Sequence, residues 1–474
     1  MDRKFIKLFH DVSRSVPAYR DFLKRHHLNP RRIKSSEDFE KIPDMTKENY
    51  LSRYALRYLW LEKTLPPVVY ASSGSSGRSR FWFRGDIQEE GGGVLHERIF
   101  RDVFRIKKSE PTLVIICFSM GIWVAGGFTQ AACRAVARRG YKLCVASPGL
   151  EKEDIMNVLS MLAPSFRKVI LVGYPPYLMD VVREARKHGI SLGRGVKILT
   201  AGDKITETWR DVMLKFLGSK DPYHSLVSVY GSSDAAALGH ETPLTIFLRR
   251  QALLDKGLYQ ELFGDSVSLP TLVQFDPAQI YFERIDEELA FTTGTSIPLI
   301  RYNIHDCGEV FTYVRIVEIL KQHGLWHKAK RYIKESPKFP LVAVKGRTDV
   351  AVTFYAVNIF PENIQSGLNK PAVRKYLSGN FQTYNHTTSS QAVQKLYIEL
   401  ELAKGRCPNL ESKKRMEASL VKTLEQVNIE YRKLRAAIGD RVLPVFRFLP
   451  FRGGRFPVRK GFISIRGKKP RMVL

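Results

Sequence analysis

Five short apolar runs, at 113–118, 142–146, 169–172, 196–200 and 226–230, recur between longer mixed segments. Runs that stay apolar along their length, instead of alternating with polar residues, mark strands covered on both faces. The segments between them are long enough to carry a helix back to the start of the next strand. The pattern therefore predicts βα units that build a largely buried sheet.

The flanks read differently. Residues 4–58 show helical spacing (Phe5, Ile6, Phe9, Val12, then Tyr19, Phe22, Leu23), broken by Pro17 and Pro30, which predicts a helical preface. From Pro111 to Cys133 there is no charge, and the stretch resembles a membrane span in composition. Gly121, Gly126 and Gly127, with Ser119, Thr129 and Gln130, instead break it into a short buried strand, a loop and the start of a small-residue helix. Residues 251–345 carry a more antiparallel texture, in Tyr281-Phe282-Glu283 and Glu288-Leu289-Ala290-Phe291, and end in a lysine-rich helix over about 317–335. Gly346-Arg347-Thr348-Asp349 then precedes a strand-like 350–355 and a second α+β pattern. With 474 residues, 44% of them hydrophobic, more than one core is expected. The expected division is 1–345, including the preface at about 1–58, and 346–474. An insertion at about 248–274 is given no role.

The formal charge of +29 implies attraction to anions such as nucleotides, nucleic acid or anionic lipid, without choosing among them. Residues 452–474 hold eight cations and no acid, which motivates a competing class, a basic nucleic-acid or anionic-surface binding protein. The cations are dispersed, however, and no zinc-finger spacing or RNA-recognition aromatic signature accompanies them. Five cysteines without a CxxC pair argue against a disulfide framework and a cysteine zinc site, and fit a reducing cytoplasm. The charged start Met1-Asp2-Arg3-Lys4-Phe5 does not resemble a secretory leader.

Three segments carry candidate chemistry. Ser72-Ser73-Gly74-Ser75-Ser76-Gly77-Arg78 follows an apolar run and combines hydroxyl donors, glycine freedom and positive charge, as a phosphate cradle requires. Its glycine spacing is not that of Walker A, and a serine-glycine cluster after a strand is, on its own, more often a flexible loop. Val227-Ser228-Val229-Tyr230 runs into Gly231-Ser232-Ser233-Asp234, offering an aromatic face for a base, a hydroxyl for a phosphate oxygen and a hard oxygen for magnesium at a strand's carboxyl end. The same residues also read as a strand-to-helix turn capped by Asp234. Arg301-Tyr302-Asn303-Ile304-His305-Asp306 places a carboxylate just after a strand, where it is able to accept two ribose hydroxyls or to serve a simple turn.

In order and spacing together, these segments resemble the adenylate-forming superfamily of acyl-CoA synthetases, and within it the phenylacetate-CoA ligase branch. Ser72 to Arg78 resembles the family's SSGTTGK loop, Ala201-Gly202-Asp203-Lys204 its G-A/G-E-P segment, Tyr230 to Asp234 its Y-G-x-T/S-E motif and Arg301 to Asp306 its R-Y-x-T-G-D segment. Gly346-Arg347-Thr348-Asp349 is similar to the G-R-x-D hinge, Asn358-Ile359-Phe360-Pro361 to the branch's V-N-V-F-P stretch, and Gly467-Lys468-Lys469-Pro470-Arg471-Met472-Val473 to the terminal lysine motif. Ser15 to Arg20, Ser36 to Phe39 and Ile42 to Lys47 resemble the branch's helical preface.

The resemblance implies an α/β fold, with a large N-terminal adenylate-forming domain of helices packed on β-sheets and a smaller mobile α+β C-terminal domain. It implies a two-step ligase: a carboxylate attacks the α-phosphate of ATP to give an acyl-adenylate and pyrophosphate, then a thiol, usually of coenzyme A, displaces AMP. Ser72, Ser73, Gly74, Ser75, Ser76, Gly77 and Arg78 would hold the outer phosphates, with Gly202, Asp203 and Gly231 also at the nucleotide. Tyr230 would stack on adenine, Ser233 would contact the α-phosphate, Asp234 would hold magnesium and Asp306 the ribose. Lys468 would bridge the acyl carboxylate and α-phosphate, with Arg347 a further cation and Asp349 the hinge. Trp123, Gly126 and Tyr174 are expected to line the acid pocket. Three departures qualify the match: Asp234 stands for the usual Glu, His305 for a Gly, and Ala356 for a Gly whose replacement narrows the thiol path. Transfer to a carrier-protein thiol or to an amine therefore stays open beside coenzyme A.

Overall fold

The computed structural model describes residues 3–60, 65–72, 80–193, 195–266, 269–347, 352–387, 393–451, 462–463 and 471–472. Two compact units divide the chain. Met1–Ala71, Phe81–Gly173 and Val182–Thr348 form the larger; Asp349–Leu474 forms the smaller, with which Ser72–Arg80 and Tyr174–Val181 group.

The larger unit opens with α1 (Arg3–Ser15), α2 (Pro17–Arg25) and α3 (Ser36–Phe39). Pro17 sits in the first turn of α2, where its missing N–H costs nothing. Ser35 caps α3 in a reciprocal box with Asp38. The apolar stripe Phe9, Val12, Tyr19, Phe22 and Phe39 is buried in the core that also takes Phe282, Phe291 and Tyr302. Burial of five large side chains on this scale holds the preface down far more strongly than its helical propensity would.

Next come the two-stranded pair β1 (Val68–Ser72) and β2 (Arg80–Arg84), then β3 (Thr112–Cys117), β4 (Leu143–Ala146), β5 (Lys168–Gly173), β6 (Val196–Ala201), β7 (Leu226–Ser232) and β8 (Ala236–His240). They continue through β9 (Thr271–Gln274), β10 (Ile280–Ile285), β11 (Glu288–Thr293), β12 (Leu299–Phe311) and β13 (Leu341–Arg347). An 11-stranded sheet has the order β10-β11-β12-β13-β9-β8-β7-β6-β5-β3-β4. Pairing among β3 to β7 is parallel and pairing from β7 through β13 to β10 is antiparallel. Every residue of β3 is buried, as a strand covered on both faces requires.

The charge-free stretch resolves into β3, a loop and α5 (Val124–Arg138), which packs on α4 (Asp86–Arg98). A Cβ at Gly92 would stand 2.4 Å from Phe128 Cζ, so the glycines of α4 permit the close approach of the two helices. Among the described residues no helix is long and apolar enough to cross a membrane. The insertion folds inward: Phe247, Leu248, Leu258 and Phe263 share a core with Ile316, Ile319 and Ala329. The single lysine-rich helix expected over 317–335 is two, Tyr313–Gln322 and Trp326–Lys334. Gly324 between them adopts φ +64°, which a continuous helix cannot contain.

A buried ionic cluster joins the elements around the start of β7. Arg210 donates to both oxygens of Glu241 at 2.8 Å and to Glu207 at 2.9 Å, and Arg249 reaches Glu241 at 2.7 Å and Glu207 at 2.9 Å. Glu241 is fully buried and its Oε2 also accepts the Ser228 amide at 2.9 Å.

The smaller unit carries a five-stranded sheet in which Leu377–Thr387 pairs antiparallel with Gln394–Leu402, and the latter runs parallel to Val445–Leu449. A hairpin of Val352–Phe354 and Val357–Ile359 turns on Tyr355 (φ +50°) and Ala356 (φ +62°). Two consecutive left-handed residues define a type I′ turn, in which glycine is the unstrained choice. Ala356 therefore holds the glycine-like backbone of the position it occupies.

Removing one acid from the ionic cluster leaves two buried guanidinium groups underpaired. Glu241→Ala is expected to lower unfolding free energy by about 3–5 kcal/mol in chemical denaturation.

Candidate active site

β7 ends at Ser232 and the chain returns as β8 from Ala236, so Ser233 and Asp234 lie in a strand-to-strand turn. The strand-to-helix alternative, with Asp234 as a cap, is thereby corrected. The turn is tight because a Cβ on Gly231 would fall 2.2 Å from the Ala236 carbonyl oxygen; only glycine fits there.

β12 runs on to Phe311, so Asp306 lies inside a strand and not just after one. Two of its residues are left-handed, Arg301 at φ +49° and His305 at φ +64°. Both are held by charge. Arg301 donates from Nε to Glu283 at 2.9 Å and pairs with its second oxygen at 2.8 Å, and also donates to the carbonyls of Glu40 and Ile42. His305 stands 3.7 Å from Glu48 and 3.1 Å from Glu288, which together raise its pKa to about 9. The Met45 amide donates to the Arg301 carbonyl at 3.1 Å and the Asn303 amide to the Met45 carbonyl at 2.8 Å, so the preface bridges onto this strand.

Two residues of β12 reach β7 and the turn after it. Tyr230 Oη donates to Asp306 Oδ2 at 2.6 Å, and Tyr302 Oη donates to Asp234 Oδ2 at 2.6 Å. β12 thus exchanges one phenol and one carboxylate with β7 and the turn that follows it. Asp306 and Tyr302 are buried, whereas Tyr230 and Asp234 are partly open. Asp234 Oδ1 accepts no hydrogen bond from any described residue.

Arg84, at the end of β2, is fully buried and donates from one Nη2 to the carbonyls of Ser233 and Asp234, both at 2.8 Å. Burial lowers its pKa to about 10, opposed by the Asp234 charge. Its Nε has no hydrogen-bond partner among the described residues. Composition gives no signal for this role, since an arginine after Phe-Trp-Phe reads as an exposed strand end. Tyr302, by contrast, sits four residues before Asp306, a spacing that would place both on one face of a regular strand, although here the pairing with β11 shifts register between Asn303 and Cys307.

The remaining expected residues are placed as follows. Gly202 (φ +88°) and Asp203 follow β6, where Asp203 Oδ1 accepts the Lys204 amide at 2.8 Å. Arg347 ends β13, its backbone in register with Asp306. Trp123 is buried and bridges Ala71, while Gly126 packs so closely that a Cβ would meet the Ser119 oxygen at 2.4 Å. Ser72 is buried at the end of β1, and Tyr174 is half-buried. Ser73, Gly74, Ser75, Ser76, Gly77, Arg78, Asp349 and Lys468 lie outside the described residues.

Among the described residues no group of three or more His, Cys, Asp or Glu side chains is placed to hold a metal. The one open oxygen of Asp234 nevertheless fits magnesium, which takes one or two carboxylates and completes its octahedron with phosphate oxygens and water.

No family model matches the chain. Phenylacetate-coenzyme A ligase of Thermus thermophilus is 23% identical over 374 residues, 75% of this chain and 72% of the relative. Among solved structures, 2-hydroxyisobutyryl-CoA ligase in complex with 2-HIB-AMP and CoA in the thioesterification state matches with a TM-score of 0.66 at 15% identity, covering 98% of this chain and 88% of that one. An open conformation of that ligase, with the same two ligands, gives 0.54 at 15% identity over 100% and 90%.

Two outcomes are expected. Because His305 has a raised folded-state pKa, its charged form stabilises the fold fully below about pH 6.5, and that contribution is lost as pH rises through about 9. His305→Asn keeps a residue tolerant of positive φ but removes the charge, so its deficit in melting temperature against wild type should be largest near pH 6 and shrink toward pH 9.5 in calorimetry. Arg84→Met leaves two turn carbonyls without their charged donor and should lower stability by about 2–3 kcal/mol in urea titration.

Proposed function

We propose that this chain, which has the fold of the adenylate-forming acyl-CoA ligases, activates a carboxylic acid with ATP and passes the acyl group to the thiol of coenzyme A. The observation that carries the reading is the reciprocal pairing of Tyr230 with Asp306 and of Tyr302 with Asp234. It supports a nucleotide site because it brings an aromatic face, a carboxylate for ribose hydroxyls and a carboxylate for a cation together at the carboxyl end of β7.

In the first step a carboxylate oxygen bonds to the α-phosphorus as the bond to pyrophosphate breaks. In the second, the thiol releases its proton to solvent, its sulfur bonds to the acyl carbon and AMP leaves with the bonding pair. Catalysis here is positioning plus neutralisation of charge on the leaving groups. Tyr230 offers its ring to adenine, Asp306 accepts the ribose hydroxyls, and Ser233 contacts the α-phosphate, with Gly202, Asp203 and Gly231 at the nucleotide. Ser72 to Arg78 holds the outer phosphates, and Arg347 is a further cation. Asp234 is the residue that would hold magnesium, which when bound neutralises phosphate charge. Tyr302 and Arg84 fix that carboxylate and its turn. Lys468 is the compact cation that bridges the acid and the α-phosphate.

Residues 1–345 are read as the ATP- and acid-binding domain and 346–474 as a lid that turns about Asp349 between the two steps. The five cysteines are free, which supports a reducing cytoplasm.

The test is exchange of labelled pyrophosphate into ATP across a panel of aryl and alkyl acids. The expected result is acid-dependent exchange that falls on the order of 100-fold in Lys468→Ala, with thioester formation from supplied acyl-adenylate and coenzyme A far less affected. Absence of exchange with every acid would refute the acid-activating reading. Acid-dependent exchange with no thioester, but with acyl transfer to a carrier-protein thiol or an amine, would reassign the acceptor.

A further inference from the structure

The larger unit holds a cavity of about 480 Å3, within the range of about 300–1,000 Å3 typical of small-molecule sites. Its wall begins at Ala235, the residue after Asp234, and follows β8 to His240. At about 3.3 Å per residue the four steps from Ala236 to His240 cover about 13 Å. Phe128, seated against Gly92, lines it as well. Neither Trp123, Gly126 nor Tyr174 is part of this lining.

Both acids of the lining are paired, Asp11 accepting from Arg14 at 2.7 Å. Arg98 donates to Asp276 at 2.7 Å and lies 4.9 Å from the Phe339 ring, so its positive charge is already met. The lysines that α1 adds, Lys4 and Lys7, are solvent-exposed, where their fields are screened.

His240 is the exception in an otherwise small and apolar β8 wall. Its Nδ1 lies 2.8 Å from the Glu241 carbonyl oxygen. A carbonyl only accepts, so Nδ1 carries the proton and Nε2 bears a lone pair. Burial lowers the pKa to about 4, which keeps the ring neutral. Nε2 has no hydrogen-bond partner among the described residues.

We propose that this cavity receives the tail of the activated acid, and that His240 Nε2 selects a tail that is uncharged and carries a hydroxyl or N–H donor at its far end. The inference rests on the acid-activating reading and adds the substrate class to it. An apolar tail that displaced water from Nε2 would leave a buried acceptor unmet, whereas a donor restores the bond. Sites built around a specific hydrogen bond discriminate more sharply than sites that only measure size. Ala235, Ala236 and Ala237 contribute only small side chains to the wall between Asp234 and His240.

The experiment compares matched acids of graded chain length, each with and without a terminal hydroxyl, by pyrophosphate exchange. In wild type, the hydroxylated acid of optimal length should exceed its unsubstituted counterpart at least tenfold in kcat/KM. In His240→Phe that ratio should fall toward one. In Ala237→Leu, which adds bulk to the cavity wall and keeps the imidazole, the optimum should move to shorter acids, and this holds even where the histidine variant does not fold. A ratio near one in active wild type, a preference for dicarboxylic acids, or an unchanged length optimum in Ala237→Leu would overturn the proposal while leaving acid activation standing. Failure of every acid to support exchange would overturn both.

Discussion

The candidate site depends on a reciprocal exchange of hydrogen bonds. β7 and β12 are not neighbours in the sheet, yet Tyr230 of β7 gives its phenol to Asp306 of β12, and Tyr302 of β12 gives its phenol to Asp234 in the turn that follows β7. Hydrogen bonds to charged acceptors in a partly dry environment are stronger than neutral ones. Two of them, crossing in opposite senses, fix the separation of turn and strand and the rotamers of all four side chains. Arg84 completes the arrangement from a third direction by gathering the backbone carbonyls of the turn. Preorganisation of this kind means that a ligand meets groups already aimed.

The conformation of β12 that makes this possible is held from its other side. Left-handed backbone at Arg301 and His305 is unfavourable for residues with a Cβ. Arg301 is offset by Glu283 and two preface carbonyls, and His305 by Glu48 and Glu288. The helical preface is therefore a structural support for the strand that presents Tyr302 and Asp306. At His305, charge pairing with Glu48 and Glu288 offsets a backbone conformation that glycine would adopt freely.

Much of the fold was legible because its central strands are covered on both faces, and continuous apolar runs such as 113–118 have few other readings. The strand-to-strand turn at Ser233 was not, since small polar residues after a strand serve hairpins and helix starts equally well. The break at Gly324 lay hidden in a lysine-rich pattern whose apolar spacing runs through it. Asp234, Tyr230 and Asp306 were legible as chemistry-bearing residue types, but the position of Asp306 inside β12 and the pairings of Tyr230 with Asp306 and of Tyr302 with Asp234 were not. Arg84 and His240 were not legible. Burial of a polar side chain is decided by what packs around it, and local sequence carries no trace of that.

The ionic cluster of Glu207, Arg210, Glu241 and Arg249 has an evolutionary consequence. Its charges cancel, and each guanidinium touches both carboxylates. Any single replacement strands a charge in the interior, while a joint replacement by apolar residues of matching volume can be neutral. Drift at any of the four positions therefore passes through an unstable intermediate, and divergent copies of this chain should keep the quartet whole or lose it whole.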